Sequence, residues 1–193
     1  MSDAKEGANA GREALIWWRS MQRHKQDGTA NPKADTGALA RLRHAATPIE
    51  AAEEEQTSRL YRRLFGSQWT VRNAETVAML AATLAHVRDH RDGRERMGAL
   101  LGAPKGSDQP ALMSDLRIRR LCAARDGAEA MRGFREAVLL LGGVAPIPDL
   151  ADSILDWLDA ERGDRRRTRW LFDYHGAGIA APSTDETKAE ANP

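Results

Sequence analysis

The residue pattern with the most obvious chemical potential is His86-Val87-Arg88-Asp89-His90. On a helix, two imidazoles four apart share a face and can hold a divalent metal, and Asp89 stands where the inverted zincin motif carries its Glu. The pattern is incomplete as a metalloprotease site, because Val87 occupies the Glu position of H-E-x-x-H and no third ligand is marked. A His near a helix C-terminus also serves the dipole without any metal. The one cysteine, Cys122, lies in RIRRLCAAR at core spacing and reads as a small buried apolar residue. Alone it forms neither an internal disulfide nor a structural zinc site. Asp156 and Asp159 flank Trp157 as the polar edge of an apolar stripe. The chain contains no G-x-S-x-G elbow, no G-x-x-x-x-G-K-[ST] loop and no G-x-G-x-x-G turn. The expectation is a protein that is not an enzyme and takes no metal or cofactor.

What remains is arginine. Of 29 Lys and Arg, 24 are Arg, the cation whose planar fork suits phosphate and whose plane stacks on bases. They fall at helical spacing: Arg41 and Arg43 with His44; Arg59, Arg62 and Arg63; Arg117, Arg119, Arg120 and Arg125; Arg132 and Arg135; Arg162, Arg165, Arg166 and Arg169. Residues three or four apart share a helix face, so several groups form basic stripes. Such stripes suit a phosphate backbone, which gives affinity without sequence readout. The bland reading is a solvated surface with intrahelical ion pairs such as Glu129 with Arg132 or Glu161 with Arg165. A GC-rich genome also enriches Arg. Trp17, Trp18, Trp157 and Trp170 complete apolar stripes, so they read as core and not as a stacking platform.

The elements that must position these groups are helices. Apolar residues recur at three and four wherever a period is clear, and no alternating strand stands out. The first helix is expected from about Arg12 to Gln26, with Leu15, Trp18 and Met21 on one face. A short helix covers GALARLRHAA. Thr47-Pro48-Ile49-Glu50 reads as a capping box with Pro at the first helical position, opening a helix to Leu64 or Phe65 with Gly66 past its end. Asn73 is read as the cap of a long helix closed by Gly93, followed by a short amphipathic turn at Met97, Leu100 and Leu101. Beyond GAPKGSDQP come helices at Ala111 to Arg125, Ala128 to Leu141, Asp149 to Arg162 and Asp164 to His175. Their short loops imply antiparallel neighbours.

The fold expected is all-α: two small helical bundles packed together, with about eight or nine helices. The division is a disordered start (residues 1–11), an N-terminal helical domain (12–101), a linker (102–110), a C-terminal bundle (111–175) and a disordered tail (176–193). Setting aside Lys5, Lys188, Asp3, Glu6, Asp185, Glu186 and Glu190, residues 12–178 hold 27 basic against 23 acidic groups, a mildly basic body. Apolar runs such as Val138 to Leu141 are far below the roughly 18 residues of a membrane span. With no secretory h-region either, a cytoplasmic protein is expected.

The order of motifs in the second half is specific. R-x-x-x-G-A-L-L is followed by S-D-L-R-I-R-R-L-C-A-A-R-D-G, M-R-G-F-R-E-A-V-L-L-L, L-A-D-S-I-L-D-W-L and R-R-x-R-W-L-F-D-Y. The first half adds W-W-R, A-L-A-R-L-R-H-A before T-P-I-E, and R-L-Y-R-R-L-F. Over about residues 12–175 this order resembles the CasB family, the small subunit of the type I-E CRISPR surveillance complex Cascade.

The resemblance implies an all-helical, non-catalytic subunit. It implies basic surfaces that hold guide RNA, target DNA and the displaced strand, stabilising the R-loop in antiviral defence. Implied partners are the large subunit, the backbone subunits and a second copy of the chain, with no membrane. The family's basic pair before T/S-P-x-E falls on Arg43 and continues here as His44. Its R-[FI]-x-x-L segment falls on Arg117 to Leu121, and its L-R-R-x-V pattern falls on Phe134 to Val138, keeping Arg135 and replacing the next base by Glu136. The nucleic-acid-binding set expected is Arg41, Arg43, His44, Arg59, Arg63, Arg117, Arg119, Arg120, Arg125, Arg132, Arg135, Arg165, Arg166 and Arg169. Two other classes stay open on the residues alone: a helical protein-interaction module, and a helix-turn-helix regulator with its turn at Asp126-Gly127.

Overall fold

A computed structural model describes residues 3–24, 28–32, 34–104 and 110–176, with backbone alone for 3–9. Ten helices and one two-residue strand pair make up its elements: α1 (Asp3–Met21), α2 (Thr36–His44), α3 (Pro48–Ala52), α4 (Glu55–Phe65), α5 (Val71–Leu84), β1 (Asp89–His90), α6 (Met97–Gly102), α7 (Asp115–Ala123), α8 (Gly127–Leu140), β2 (Val144–Ala145), α9 (Ile147–Trp157) and α10 (Arg162–Tyr174). The chain is all-α, as its periodicity indicates. No helix among the described residues is long and apolar enough to cross a membrane.

The centre is α5. From Thr76 to Leu84 every residue is buried, the mark of a helix packed on all sides, and α2, α3, α4, α8 and α9 surround it. Its cap is Thr70, whose hydroxyl accepts from Asn73 N at 3.1 Å, so the helix begins before the Asn73 cap expected. It also ends at Leu84, well short of Gly93. There the chain turns into β1, which runs parallel to β2 with Asp89 opposite Val144 and His90 opposite Ala145. Gly142 and Gly143, at φ +67° and +83°, end α8 in the left-handed region that glycine tolerates. They direct the Gly143 carbonyl to Arg88 N at 2.8 Å.

Other boundaries move for identifiable reasons. Helix α1 starts at Asp3 and not near Arg12, because Ala4, Lys5, Glu6, Ala8 and Ala10 favour helix without adding an apolar stripe. It stops at Met21, where Asn31 Nδ2 donates to the Ser20 and Gln22 carbonyls, both at 2.9 Å. Thr47 caps the helix as read, its Oγ1 accepting from Glu50 N at 3.3 Å, while the Glu50 carboxylate reaches one residue beyond the cap, Oε2 accepting from Ala46 N at 2.8 Å. The helix it opens is broken after Ala52, and Thr57 Oγ1 donates to the Ala51 carbonyl at 2.6 Å across the break. The tail from 177 and residues 105–109 of the expected linker lie outside the described residues.

Helices from both sides of the 102–110 segment share one buried cluster. Helix α1 lies along α9, and α5 touches both α8 and α9. In the second half Phe134, Trp157 and Trp170 meet edge to face, with centroids 4.8, 5.4 and 5.5 Å apart, the arrangement ring quadrupoles favour. Gly98 and Gly102 let α6 approach α10 closely: a Cβ at Gly98 would stand 2.7 Å from the Trp170 carbonyl oxygen.

Candidate nucleic-acid interface

The C-termini of α2 and α5 meet beside α8, and arginine ties all three together. Arg135 reaches from α8 to the end of α2, donating Nη1 to the Ala45 carbonyl at 2.6 Å and Nη2 to the Leu42 carbonyl at 3.0 Å. These carbonyls have no partner within their own helix end, and the cation also faces the negative pole of α2. Burial lowers the Arg135 pKa while the Glu50 carboxylate opposes the shift. Arg43 acts likewise on α5, its Nε donating to the Ala85 carbonyl at 2.5 Å. Between them sits half-buried His86. Burial first, then the nearby Arg135 and Arg43 charges, push its pKa down to about 4, so the ring is neutral at neutral pH.

Next to this frame lies the α7–α8 pair. Arg117 Nε meets Glu136 Oε1 at 3.0 Å across the two helices. A Cβ on Gly133 would touch Leu121 Cδ1 at 2.6 Å. These contacts fix an antiparallel register, with Arg120 about one turn on from Arg117 along α7 and Arg132 about one turn before Glu136 along α8. Both are exposed, as is His44, and all three lack a hydrogen-bond or ion-pair partner among the described residues. The expected Glu129–Arg132 pair does not form. Arg117, Arg120 and Arg132 thus lie on the paired helices α7 and α8 with Glu136 as the acid paired among them, and Arg135 ties α8 to the end of α2, where Arg43 and His44 stand.

The rest of the expected set is distributed elsewhere, mostly on carboxylates. Arg41 holds Glu54 with two hydrogen bonds of 2.7 and 3.0 Å. Arg59 pairs with Glu55 at 2.9 Å, Arg63 with Glu13 at 2.6 Å, and Arg119 with Asp115 at 2.6 Å. Arg125 donates to the Cys122 carbonyl at 2.8 Å and approaches Asp164 at 3.5 Å. On α10, Arg166 pairs with Asp156 at 2.6 Å, and Arg169 lies 3.6 Å from Asp149. Arg165 is exposed and unpaired, the expected Glu161 pair being absent, but its helix packs on α6, α7 and α9.

The histidine pattern loses its metal geometry. His86 and His90 share no helix face, because α5 has ended and His90 lies on β1. His90 Nδ1 accepts from Ile147 N at 3.3 Å while Nε2 faces Asp92 at 3.3 Å. Among the described residues no group of three or more His, Cys, Asp or Glu is arranged to hold a metal. Cys122 is buried against the Arg167 carbonyl at 3.9 Å, and burial pushes its thiol up to about 11.

Three residues escaped the sequence reading. Arg88 is exposed and unpaired, with its side chain against Gly143 beside the end of α8. Arg167 is buried over the Trp157 ring, 5.7 Å from its centroid. Trp69, absent from every apolar stripe, is exposed in the loop before α5. Its signal was available, since it sits between Gly66-Ser67 and a capping Thr.

The family model described as CRISPR-associated protein Cse2 matches residues 38–175. No curated protein and no solved structure matches the chain significantly. The family match runs from within α2 to just past α10 and so includes the whole of the face built by Arg43, Arg120 and Arg132. With that much of its length matched, the chain belongs to the Cse2 (CasB) family of small subunits of type I-E Cascade, and has a subunit's part in CRISPR defence.

Proposed function

We propose that this subunit is non-catalytic and binds nucleic-acid backbone through the face formed by α7, α8 and the end of α2. There it holds guide RNA, target DNA and the displaced strand, and stabilises the R-loop in the cytoplasm. The observation that carries this reading is that Arg120 and Arg132 are exposed and without a partner among the described residues on the paired helices α7 and α8, which Arg135 ties to the end of α2 bearing Arg43 and His44. Unpaired guanidiniums at helical spacing bind phosphates by releasing counterions and need no base contacts. Forming an R-loop nearly balances one duplex against another, so a few backbone contacts can tip it. Weak intrinsic affinity is adequate inside an assembly that already concentrates nucleic acid beside the subunit. The exposed side chains Ile49, Leu116 and Phe172 offer apolar surface for the large subunit, the backbone subunits and a second copy.

Fluorescence anisotropy of labelled oligo(dT) and of a duplex, at two salt concentrations, tests the reading. Binding is expected to be indifferent to sequence and to weaken steeply with salt. The Arg120→Ala/Arg132→Ala variant should lower the single-strand salt slope by about 1.4, two phosphate contacts' worth. Arg91→Ala, which removes an exposed pair with Glu95, should leave the slope unchanged. An unaltered slope in the double variant would refute this face, and sharp sequence selectivity would refute the mode of binding.

A further inference from the structure

Four of the five tryptophans, Trp17, Trp18, Trp157 and Trp170, are buried, whereas Trp69 is 67% exposed. Its loop is held rigidly. The hydroxyl of buried Tyr61 donates to the Gln68 carbonyl at 2.8 Å and accepts from Thr70 N at 3.0 Å, fixing the backbone immediately before and after the indole. Gly66, at φ +60°, opens the loop, and Thr70 closes it by capping α5. The indole is thereby displayed on a pinned backbone, and Val71 beside it is also exposed.

The sequence around Trp69 is basic. Residues 56–74 contain Arg59, Arg62, Arg63 and Arg72 and not one Asp or Glu. Glu55, Glu13 and Asp159 reach three of these arginines from elsewhere in the chain. Arg62 is exposed and has no partner among the described residues.

The geometry points to Trp69 as a stacking platform for an unpaired nucleobase of a single strand, with Arg62 and Arg72 serving the adjacent phosphates. The inference rests on the nucleic-acid reading and adds to it a second contact of different chemistry. An aromatic face accepts any base, so the site needs no sequence preference. A preformed loop lowers the ordering cost of the stack. A flexible polyanion with flat bases matches an exposed indole in an arginine-rich segment better than an apolar protein surface does, because the latter would bury the unpaired Arg62 without giving it a partner.

Because the other four tryptophans are shielded, the red-shifted, quencher-accessible part of the intrinsic fluorescence reports Trp69. Titrating the full chain with oligo(dT) at low salt should quench the solvent-exposed component of its emission. Trp69→Ala should weaken oligo(dT) binding by about 5-fold or more while leaving the salt slope intact, and Trp69→Phe should recover part of the loss. Both variants should keep the wild-type thermal midpoint, since the side chain faces solvent. Undiminished binding by Trp69→Ala with unchanged wild-type emission would overturn the stacking site and leave the α7–α8 face standing. Failure of the wild type to bind at any salt would overturn both. Quenching by purified Cascade subunits without nucleic acid, and none by oligo(dT), would make Trp69 a protein contact and overturn the inference.

Discussion

Two half-buried groups titrate in opposite senses across the same acid range. Asp152, on α9, has its pKa raised to about 6, by burial first and by the charges of Asp156 and Asp149, while Arg166 pulls it back. Its Oδ1 is buried without a hydrogen-bond partner. Folding therefore disfavours the ionised form, a penalty absent below the ordinary 3.8 and complete above about 6. His86, lowered to about 4 from 6.5, behaves in reverse. It disfavours folding only when the unfolded chain would carry the proton, so stability falls as pH drops through that window. Between pH 4 and 6 the two effects oppose each other. Asp152→Asn should stabilise the protein by about 1–2 kcal/mol at pH 8, after allowance for partial solvation, and the gain should vanish near pH 4. Urea unfolding across pH 4–8 measures this, and no gain at pH 8 would show the carboxylate to be well solvated in the folded state.

At the scale of elements, Arg135 is a capping group before it is a ligand. Truncating it leaves the Leu42 and Ala45 carbonyls at the end of α2 without donors. Arg135→Ala should cost about 1–3 kcal/mol in urea unfolding, and Arg135→Lys should recover part of it. A variant of unchanged stability would mean that water replaces the guanidinium at no cost. Weakened nucleic-acid binding in Arg135→Ala would therefore report α2 as much as any lost phosphate contact, which is why Arg120 and Arg132 make the cleaner pair to remove. Most elements were legible from the chain, because an apolar period over α8, α9 and α10 has one helical solution and Thr47-Pro48-Ile49-Glu50 carries its own start signal. The break between α3 and α4 was not, since Glu53 to Glu55 suits a helix interior as well as a turn. Nor could the chain show which cations are engaged. The carboxylates that hold Arg63 and Arg72 come from Glu13 and Asp159, far away in sequence, whereas the local partners offered to Arg132 and Arg165 are not taken.

Across the whole molecule, the segment at 102–110 joins halves that share a core. Helices α1 and α5 both rest on α9, so neither half closes its apolar surface alone. Far-UV circular dichroism and tryptophan emission should report one coincident unfolding transition, with Trp17 and Trp18 marking one half and Trp157 and Trp170 the other. Two separated transitions would show the halves to be independent folding units. The order of motifs along the chain carried the family, but which helix rests on which depends on contacts between distant residues, more than a hundred positions apart where α1 lies on α9. That separation has a consequence in time. Trp17 and Trp18 find Gln56 and Val87 earlier, but α9, on which α1 lies, is among the last elements to leave the ribosome, so that side of α1 stands uncovered while more than a hundred further residues are made. At about 5–20 residues per second the wait is on the order of 10 s, and through it the nascent chain must rely on its own partial collapse or on a chaperone.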